Sequence, residues 1–197
     1  ITALKASQSG LDVTLIEKKH DPHKSSACAG LLSINTWDDL DLSNNAILNS
    51  FHGVRVHPPN DGGNYTITAR EKRAHVLDRD IVNKELIDKC VDNGVDFRKP
   101  FRFMGIDQSG AKVKNLNNNK IIKLRPKIVI GADGPHSKVR KSAQLPPPQK
   151  NIYGIQCLAE LPNITKDHVE VFFGKEIAPG FFGWVIPLNE NIARVGL

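Results

Sequence analysis

A short apolar run that breaks into glycines constrains this chain more than any other feature. Residues 128–130 (Ile-Val-Ile) show no polar alternation, as in a parallel strand covered on both faces. The chain then turns through residues 131–134 (Gly-Ala-Asp-Gly) and becomes basic. A second apolar run, residues 11–16, ends at Glu17. Because doubly wound α/β sheets bind ligands at the carboxyl ends of their strands, these two features predict a dinucleotide-binding fold.

Glu17 is a candidate ligand of the ribose of such a cofactor. An acid at the end of the second strand of a nucleotide-binding unit accepts hydrogen bonds from ribose hydroxyls. The alternative is a solvated acid beside Lys18 and Lys19. A glycine turn would precede the acid by roughly 20 residues, whereas 16 residues precede Glu17. We therefore expect that turn upstream of Ile1 and interpret the chain as a fragment that lacks both termini.

The turn at residues 131–134 is a candidate contact with a pyrophosphate. Glycines on both sides of Asp133 would let the backbone approach the phosphates closely. The alternative is an ordinary strand-to-helix turn in which Asp133 caps the following helix. The four residues alone leave both interpretations open.

Composition limits the classes of function. The chain has 197 residues, and no apolar run approaches the roughly 20 residues that span a bilayer. No secretory leader pattern stands at the start, and three widely spaced cysteines favour neither disulfides nor zinc, so we expect a cytoplasmic protein without a metal site. The net charge of +6 is scattered, which argues against nucleic acid and leaves simple solubility or attraction to an anionic membrane open. Apart from His136, the histidines show no ligand spacing and are expected on the surface.

Hydrophobic periodicity and turn residues predict a series of short elements. A helix over residues 1–9 is stopped by Gly10, and a second helix, capped by Asp78 or Asp80, is stopped by Gly94. The apolar residues of this second helix are spaced for one buried face: Ile81, Val82, Leu86, Ile87, Cys90 and Val91. Strands are predicted over residues 95–98, 102–107, 111–116, 121–124, 152–160, 169–173, 184–187 and 193–197, with a hairpin over residues 51–68 that turns at residues 58–63.

Several of these segments resemble a known family. Residues 131–140 look like the second fingerprint of the flavoprotein hydroxylase superfamily, the group that includes p-hydroxybenzoate hydroxylase, and residues 76–79 fit the same group. Residues 28–33 (Cys-Ala-Gly-Leu-Leu-Ser) and residues 179–187 resemble motifs of its geranylgeranyl reductase branch. Residues 193–197 continue the second of these motifs. The chain departs from the branch at Ala29, where glycine is commoner, and at Ile186, where phenylalanine is usual.

The resemblance implies a truncated α/β fold. A doubly wound, Rossmann-like FAD-binding domain would take residues 1–41 and 70–145, without its first strand and glycine turn. A smaller β-sheet substrate domain would take residues 42–69 and 149–197.

The resemblance also implies an enzyme and a set of site residues. The enzyme would use FAD, reduced by NAD(P)H or ferredoxin, to saturate C=C bonds of geranylgeranyl chains in isoprenoid lipids or their precursors. Reduced flavin supplies the hydride, which no side chain can donate. The cofactor contacts implied are Glu17 at the ribose, Cys28, Ala29 and Leu31 at the flavin, and Arg79, Phe103, Asp133 and Gly134. Phe182 and Trp184 would face the lipid.

Alternatives stay open at several of these positions. Cys28 is either a proton donor near the flavin or a small buried residue, and aromatics spaced like Phe182 and Trp184 are often ordinary core. The same scaffold serves flavin-dependent monooxygenases and halogenases, and a truncated copy could bind a partner without catalysis. We expect the fragment alone to be inactive, with peripheral contact to the inner membrane face as an option and the oligomeric state open.

Overall fold

The structure is a computed structural model that describes residues 1–24, 28–59 and 63–197. The described chain forms two compact units. Unit 1 comprises Ile1–Pro22 and Leu86–Asn151, and unit 2 comprises His23–Glu85 and Ile152–Leu197. Residues 23–41 and 70–85 thus fall in unit 2. The assignment of residues to an FAD-binding and a substrate domain stays a prediction.

Four α-helices and fourteen strands are present in the described ranges. The helices are α1 (Thr2–Gln8), α2 (Ile34–Asp38), α3 (Arg79–Asp92) and α4 (Lys138–Ser142), and a 3-10 turn spans Asn44–Ala46. The strands are β1 (Thr14–Ile16), β2 (Leu31–Ser33), β3 (Ile47–Phe51), β4 (Gly53–His57), β5 (Tyr65–Thr68), β6 (Ala74–Leu77), β7 (Asp96–Arg98), β8 (Phe101–Asp107), β9 (Gly110–Asn115), β10 (Ile121–Leu124), β11 (Gln156–Glu160), β12 (His168–Phe172), β13 (Gly183–Pro187) and β14 (Ile192–Gly196). Within these ranges, no helix has both the length and the apolar character needed to cross a membrane.

Unit 1 begins with the predicted helix, which packs on a small apolar cluster. Leu4 of α1 is buried with Cys90 and Val95, and partly buried side chains around β1 pack against them. Gly10 follows the helix with φ +80°, a left-handed conformation that suits glycine after a helix end. Both the helix and its stop are confirmed.

The sheets of unit 1 are one parallel pair and one antiparallel meander. β1 and β7 pair in parallel, with Leu15 opposite Phe97. β8, β9 and β10 form the predicted three-stranded meander, and its register shifts between Phe103 and Gly105. The meander is therefore confirmed.

The strand predicted at residues 128–130 is wrong. The segment has no strand conformation in the structure, and Ile128 and Ile130 are 79% and 65% exposed. A parallel strand depends on hydrogen bonds to a neighbour that is distant in sequence. No described strand pairs with this segment. The apolar composition of the segment predicts that it can be buried. Burial and strand pairing, however, need a neighbouring segment, which its own sequence does not provide.

Helix α3 follows the predicted capping chemistry. The Asp78 carboxylate accepts hydrogen bonds from the backbone N–H groups of Asp80 (2.9 Å) and Ile81 (3.4 Å), which satisfies donors at the helix start. Gly94, with φ +82°, follows its end. Val82 is buried as expected, but Val91 is 51% exposed, so its place on the buried face is wrong.

Unit 2 contains a six-stranded sheet in the order β11-β14-β13-β12-β4-β5 and a three-stranded sheet in the order β2-β6-β3. The predicted hairpin is confirmed as β4 and β5, with Val54 opposite Ile67. Part of its predicted turn, residues 60–62, lies outside the described residues. β12 joins β4 in parallel, and the other neighbours are antiparallel.

The six-stranded sheet has an inner and an outer face. The inner face carries Trp184, Ile186 and Arg194, and it packs on the three-stranded sheet through a cluster of Phe51, Val76 and Ile186. Because side chains alternate along a strand, Val185 points to the outer face, and Glu170, which lies opposite it, shares that face with Arg55 and His57.

Candidate functional site

The segment of residues 28–30, at the start of the three-stranded sheet in unit 2, is held by side chains from the six-stranded sheet. Gln156 Nε2 donates to the Cys28 carbonyl at 3.2 Å. Arg194 Nη1 donates to the Ala29 carbonyl at 2.8 Å and to the Leu77 carbonyl at 3.2 Å. The Leu77 N–H in turn donates to the Gly30 carbonyl at 3.0 Å. The carbonyls of all three residues of the segment are therefore occupied by the protein.

Gly30 is required by space as well as by conformation. Its φ is +75°, which side chains rarely adopt. A Cβ there would lie 2.6 Å from Arg194 Nη1 and 2.8 Å from the Leu77 carbonyl oxygen. It would also lie 3.6 Å from Cγ of Arg79. The absence of a side chain at Gly30 thus makes room for the Arg194 guanidinium and the Leu77 carbonyl, whereas the Arg79 distance is an ordinary contact.

Arg79 carries a buried donor that the described part of the protein does not use. Its Nη2 donates to Asn83 Oδ1 at 3.0 Å, and Asn83 Nδ2 donates to the His23 carbonyl at 3.2 Å. The Nε of Arg79 is buried and has no acceptor among the described residues. A guanidinium without a carboxylate partner suits a phosphate or another anionic oxygen. This observation fits an FAD contact at Arg79.

Cys28 and Leu31 lie on the open side of this segment. Cys28 is an exposed free thiol, so the interpretation of a small buried residue is wrong. Leu31 begins β2 opposite Val76 and is 40% exposed. Ala29, between them in sequence, is half-buried and packs on the core cluster of unit 2. An apolar residue and a thiol are thus available to a flat ligand here.

Phe182 and Trp184 belong to an aromatic group at the end of the six-stranded sheet. The rings of Phe181 and Phe182 stack with centroids 4.2 Å apart, and Phe182 meets Trp184 edge-on at 6.3 Å and Phe173 at 6.0 Å. Trp184 packs against the same cluster as Ala29. Its indole Nε1 is buried without an acceptor in the described ranges.

Glu17, in unit 1, follows β1 as predicted. Its backbone N–H donates to the Arg98 carbonyl of β7 at 3.1 Å, and its carbonyl accepts from the Phe101 N–H at the start of β8 at 2.7 Å. The carboxylate Oε1 accepts a hydrogen bond from the N–H of Lys19 at 2.8 Å. The side chain therefore closes a local turn at the strand end.

Asp133 caps α4. Its carboxylate accepts hydrogen bonds from Ser137 Oγ and from the backbone N–H groups of Lys138 (2.7 Å) and Val139 (3.2 Å). Partial desolvation works against ionisation, but these hydrogen bonds outweigh it and hold the pKa of Asp133 below its ordinary value. The capping alternative describes the observed contacts of this residue.

Two glycines shape the turn around Asp133. Gly134 has φ +81° and open space around it, so its conformation alone favours glycine. A Cβ on Gly131 would lie 2.9 Å from Cβ of Val139, so close packing against α4 explains that glycine.

Phe103 lies on β8 in unit 1. It is half-buried, opposite Val113 of β9. Both β1, which precedes Glu17, and α4, which Asp133 caps, contact β8. Two elements that adjoin predicted cofactor residues thus contact the strand that carries Phe103. The other predicted site residues fall in unit 2.

Sequence reasoning missed Arg194, Gln156 and a group of histidines. A charged residue inside the apolar run of residues 192–196 was the available signal for Arg194. His57 and His75, which we expected on the surface, are partly exposed but make contacts that the sequence did not predict. His57 Nε2 contacts Glu170 Oε2 at 2.7 Å, and burial, followed by the charge of Lys72, lowers the pKa of His75.

The fold and the site together define a flavoprotein of the FAD-binding α/β class. The family described as FAD binding domain matches residues 1–195, and the chain belongs to this family. The chain is similar to a digeranylgeranylglycerophospholipid reductase of Methanosarcina acetivorans, with 33% identity over 210 residues that cover 100% of the chain and 51% of the relative. The predicted resemblance to geranylgeranyl reductases is thereby confirmed.

Solved structures agree with this assignment. A geranylgeranyl bacteriochlorophyll reductase-like protein from Thermoplasma acidophilum matches 99% of the chain and 52% of its own length, with 26% identity and a TM-score of 0.85. A flavin-dependent brominase matches 98% of the chain and 51% of its own length with a TM-score of 0.76; at 17% identity it shows the fold alone. The α/β, Rossmann-like fold class is confirmed. The chain spans about half the length of the curated relatives it matches.

Proposed function

We propose that the whole protein is an FAD-dependent reductase that saturates C=C bonds of geranylgeranyl chains in isoprenoid lipids or their precursors. One observation carries the proposal: Ala29 of the predicted flavin segment and Trp184 of the predicted lipid wall pack against one core cluster in unit 2. Flavin chemistry needs the cofactor and an apolar chain side by side. The similarity to proteins named as reductases of such lipids supports the substrate class.

In unit 2, we assign cofactor contacts to Cys28, Ala29, Leu31 and Arg79. The orphaned Nε of Arg79 would donate to an anionic oxygen, and the exposed side of residues 28–31 would receive an apolar ring. Bound FAD would supply the hydride that an isolated alkene needs. Cys28 is our candidate for donating the accompanying proton, because its thiol is exposed beside this segment.

In unit 1, we assign cofactor contacts to Glu17, Phe103, Asp133 and Gly134. Glu17 presents a carboxylate at a strand end, the position from which acids bind ribose hydroxyls. Asp133 holds its own turn through α4, so its contribution to binding is the shape of the backbone at Gly134 rather than a free carboxylate. Phe103 is half-buried on β8, the strand that both β1 and α4 contact.

Substrate contacts are assigned to Phe182 and Trp184. Their rings form part of a four-membered aromatic group, which suits a long apolar chain. We take NAD(P)H or ferredoxin as the reductant. We place the protein in the cytoplasm, and the excess of 27 Lys and Arg over 21 Asp and Glu suits attraction to an anionic membrane surface.

The decisive experiment uses the full-length protein, reconstituted with FAD and reduced with dithionite without oxygen. Digeranylgeranylglycerophospholipid is the substrate, and mass spectrometry follows the product. We expect a mass gain of one hydrogen molecule for each bond saturated. A product that forms only with oxygen and carries a hydroxyl or a halogen would assign the protein to the monooxygenases or halogenases. A protein without a bound yellow cofactor would be a non-catalytic copy.

Variants of the aromatic group test the substrate assignment. Trp184→Ala should raise KM for the lipid while the absorption spectrum of bound FAD stays unchanged, because the ring contacts the chain and not the cofactor. Tyr153→Ala is the matched control, since Tyr153 is an aromatic residue of the same unit and is 82% exposed. Equal effects of the two substitutions would contradict the assignment.

A further inference from the structure

Arg194 makes an unusual pair of contacts for a charged residue inside a strand. Its side chain, on the inner face of the six-stranded sheet, reaches two carbonyls that belong to different segments, Ala29 and Leu77. These residues lie 165 and 117 positions away in sequence. A guanidinium has several donors in a rigid plane, so a single residue can join both segments.

The neighbouring strand adds a third contact. Gln156 of β11 lies opposite Gly196 of β14, two residues beyond Arg194, and it therefore points to the same face. Its amide reaches the Cys28 carbonyl, one residue before the Ala29 carbonyl that Arg194 binds. The carbonyls of two consecutive residues, Cys28 and Ala29, are thus bound by side chains from two strands that are neighbours in the sheet.

The charge of Arg194 is balanced by no acid in the described part of the chain. Its hydrogen bonds go to neutral carbonyl oxygens alone. A half-buried guanidinium that binds only dipoles keeps most of its positive field. This field therefore acts on whatever binds against residues 28–30.

We propose that Arg194 is a positioning residue for the flavin: with Gln156, it fixes the backbone of residues 28–30 and places a positive charge behind it. The inference rests on the proposed function, because it takes this segment as the flavin contact. Gly30 completes the arrangement, since any side chain there would displace the guanidinium. Arg194 itself need not touch the cofactor.

The first test needs no cofactor. The Leu77 N–H donates to the Gly30 carbonyl, so its hydrogen exchange reports the position of the segment. In the full-length protein, Arg194→Gln should raise the exchange rate of Leu77 about tenfold, and Arg194→Lys should raise it less. Arg55→Gln removes one positive charge from the outer face of the same sheet and should leave this rate unchanged.

The second test uses the protein loaded with FAD. Arg194→Gln should weaken FAD binding about tenfold, shift the visible spectrum of the bound flavin and lower its midpoint potential, because a nearby positive charge favours the reduced anionic form. Arg194→Lys should restore most of the potential but less of the affinity. Arg55→Gln should change none of the three.

The outcomes separate the two proposals. If the wild-type protein binds no FAD, the proposed function fails, while the exchange measurement still decides whether Arg194 holds the segment. If it binds FAD and Arg194→Gln changes neither Leu77 exchange nor the flavin spectrum, the positioning role is overturned. Should Arg194→Gln not fold, Gln156→Ala tests the arrangement by releasing the Cys28 carbonyl alone, and unchanged flavin properties would then overturn it.

Discussion

Two turns carry four of the predicted cofactor residues, Cys28 and Ala29 in one and Asp133 and Gly134 in the other, and these turns are held in opposite ways. The turn around Asp133 is held locally, by Ser137, Lys138 and Val139, within six residues of the carboxylate. The segment of residues 28–30 is held by Gln156 and by Arg194, more than a hundred residues away. The first turn can form with α4 alone, whereas the second has its shape only when the six-stranded sheet of unit 2 is complete.

This difference bears on how each turn can contribute to function. A locally capped turn is held by residues that are near in sequence. A substitution there removes only the hydrogen bonds of one helix cap. A turn fixed by distant side chains keeps its shape only while the sheet is folded. A single substitution there removes several hydrogen bonds at once. We therefore expect the largest effects at residues 28–30 and around the sheet that holds them.

The largest effect is expected from Gly196→Ala in β14. A Cβ at this position would lie 2.3 Å from Cζ2 of Trp184 and 2.7 Å from the Ile155 carbonyl oxygen. Because a ring packed in a sheet cannot move freely, the substitution should destabilise the protein by about 3 kcal/mol in urea unfolding. Adding Trp184→Leu should recover part of the loss. Stability within about 0.5 kcal/mol of the wild type would show that the sheet tolerates displacement of the indole.

The second largest effect is expected from Gly30→Ala, whose loss of stability is compared with that of Gly10→Ala. The two glycines have similar conformations, with φ of +75° and +80°, but Gly10 has open space where Gly30 meets Arg194. Both substitutions carry the strain of a left-handed residue, and only Gly30→Ala breaks the Arg194 contacts. We expect Gly30→Ala to cost about 2 kcal/mol more in urea unfolding. Equal losses would mean that Arg194 adjusts without cost.

Asp133→Ala should have a smaller and pH-dependent effect. Loss of the cap should cost about 1 kcal/mol at neutral pH. The pKa of Asp133 is lowered from 3.8 in the folded state, so its stabilisation is present above that value and disappears as the pH falls through the folded pKa. The difference from the wild type, measured by urea unfolding, should therefore vanish in strong acid. Asp12→Ala, at an exposed acid of the same unit, is the control and should leave stability at neutral pH close to that of the wild type.

The same contrast explains which parts of the structure could be predicted. The α3 helix with its Asp78 cap, the β4–β5 hairpin and the meander follow from residues that are near in sequence, and all three are confirmed. The family resemblance also rested on short local motifs. These features need only periodicity, turn chemistry and capping.

The features that failed or were missed depend on distant partners. Residues 128–130 have the composition of a covered strand, but pairing is a property of the neighbour. The contacts of Arg194 and His57 join strands that the sequence places far apart. A pattern of apolar and polar residues states which face is buried, but it does not state which carbonyl or carboxylate a long side chain will meet.

The smallest effect is expected from Glu170→Gln, which tests whether sequence distance alone makes a contact important. Glu170 joins His57, 113 positions away, at 2.7 Å and Arg55 at 3.5 Å, but on the outer face of the sheet. The three side chains are partly exposed, so water screens the pair and its loss should cost less than about 1 kcal/mol in urea unfolding. This cost should shrink further at high salt. FAD affinity should not change. A loss of FAD affinity comparable to that of Arg194→Gln would show that the two faces of the sheet act as one site. The sequence distance between the partners, rather than the face of the sheet that they occupy, would then decide the effect of a contact on FAD binding.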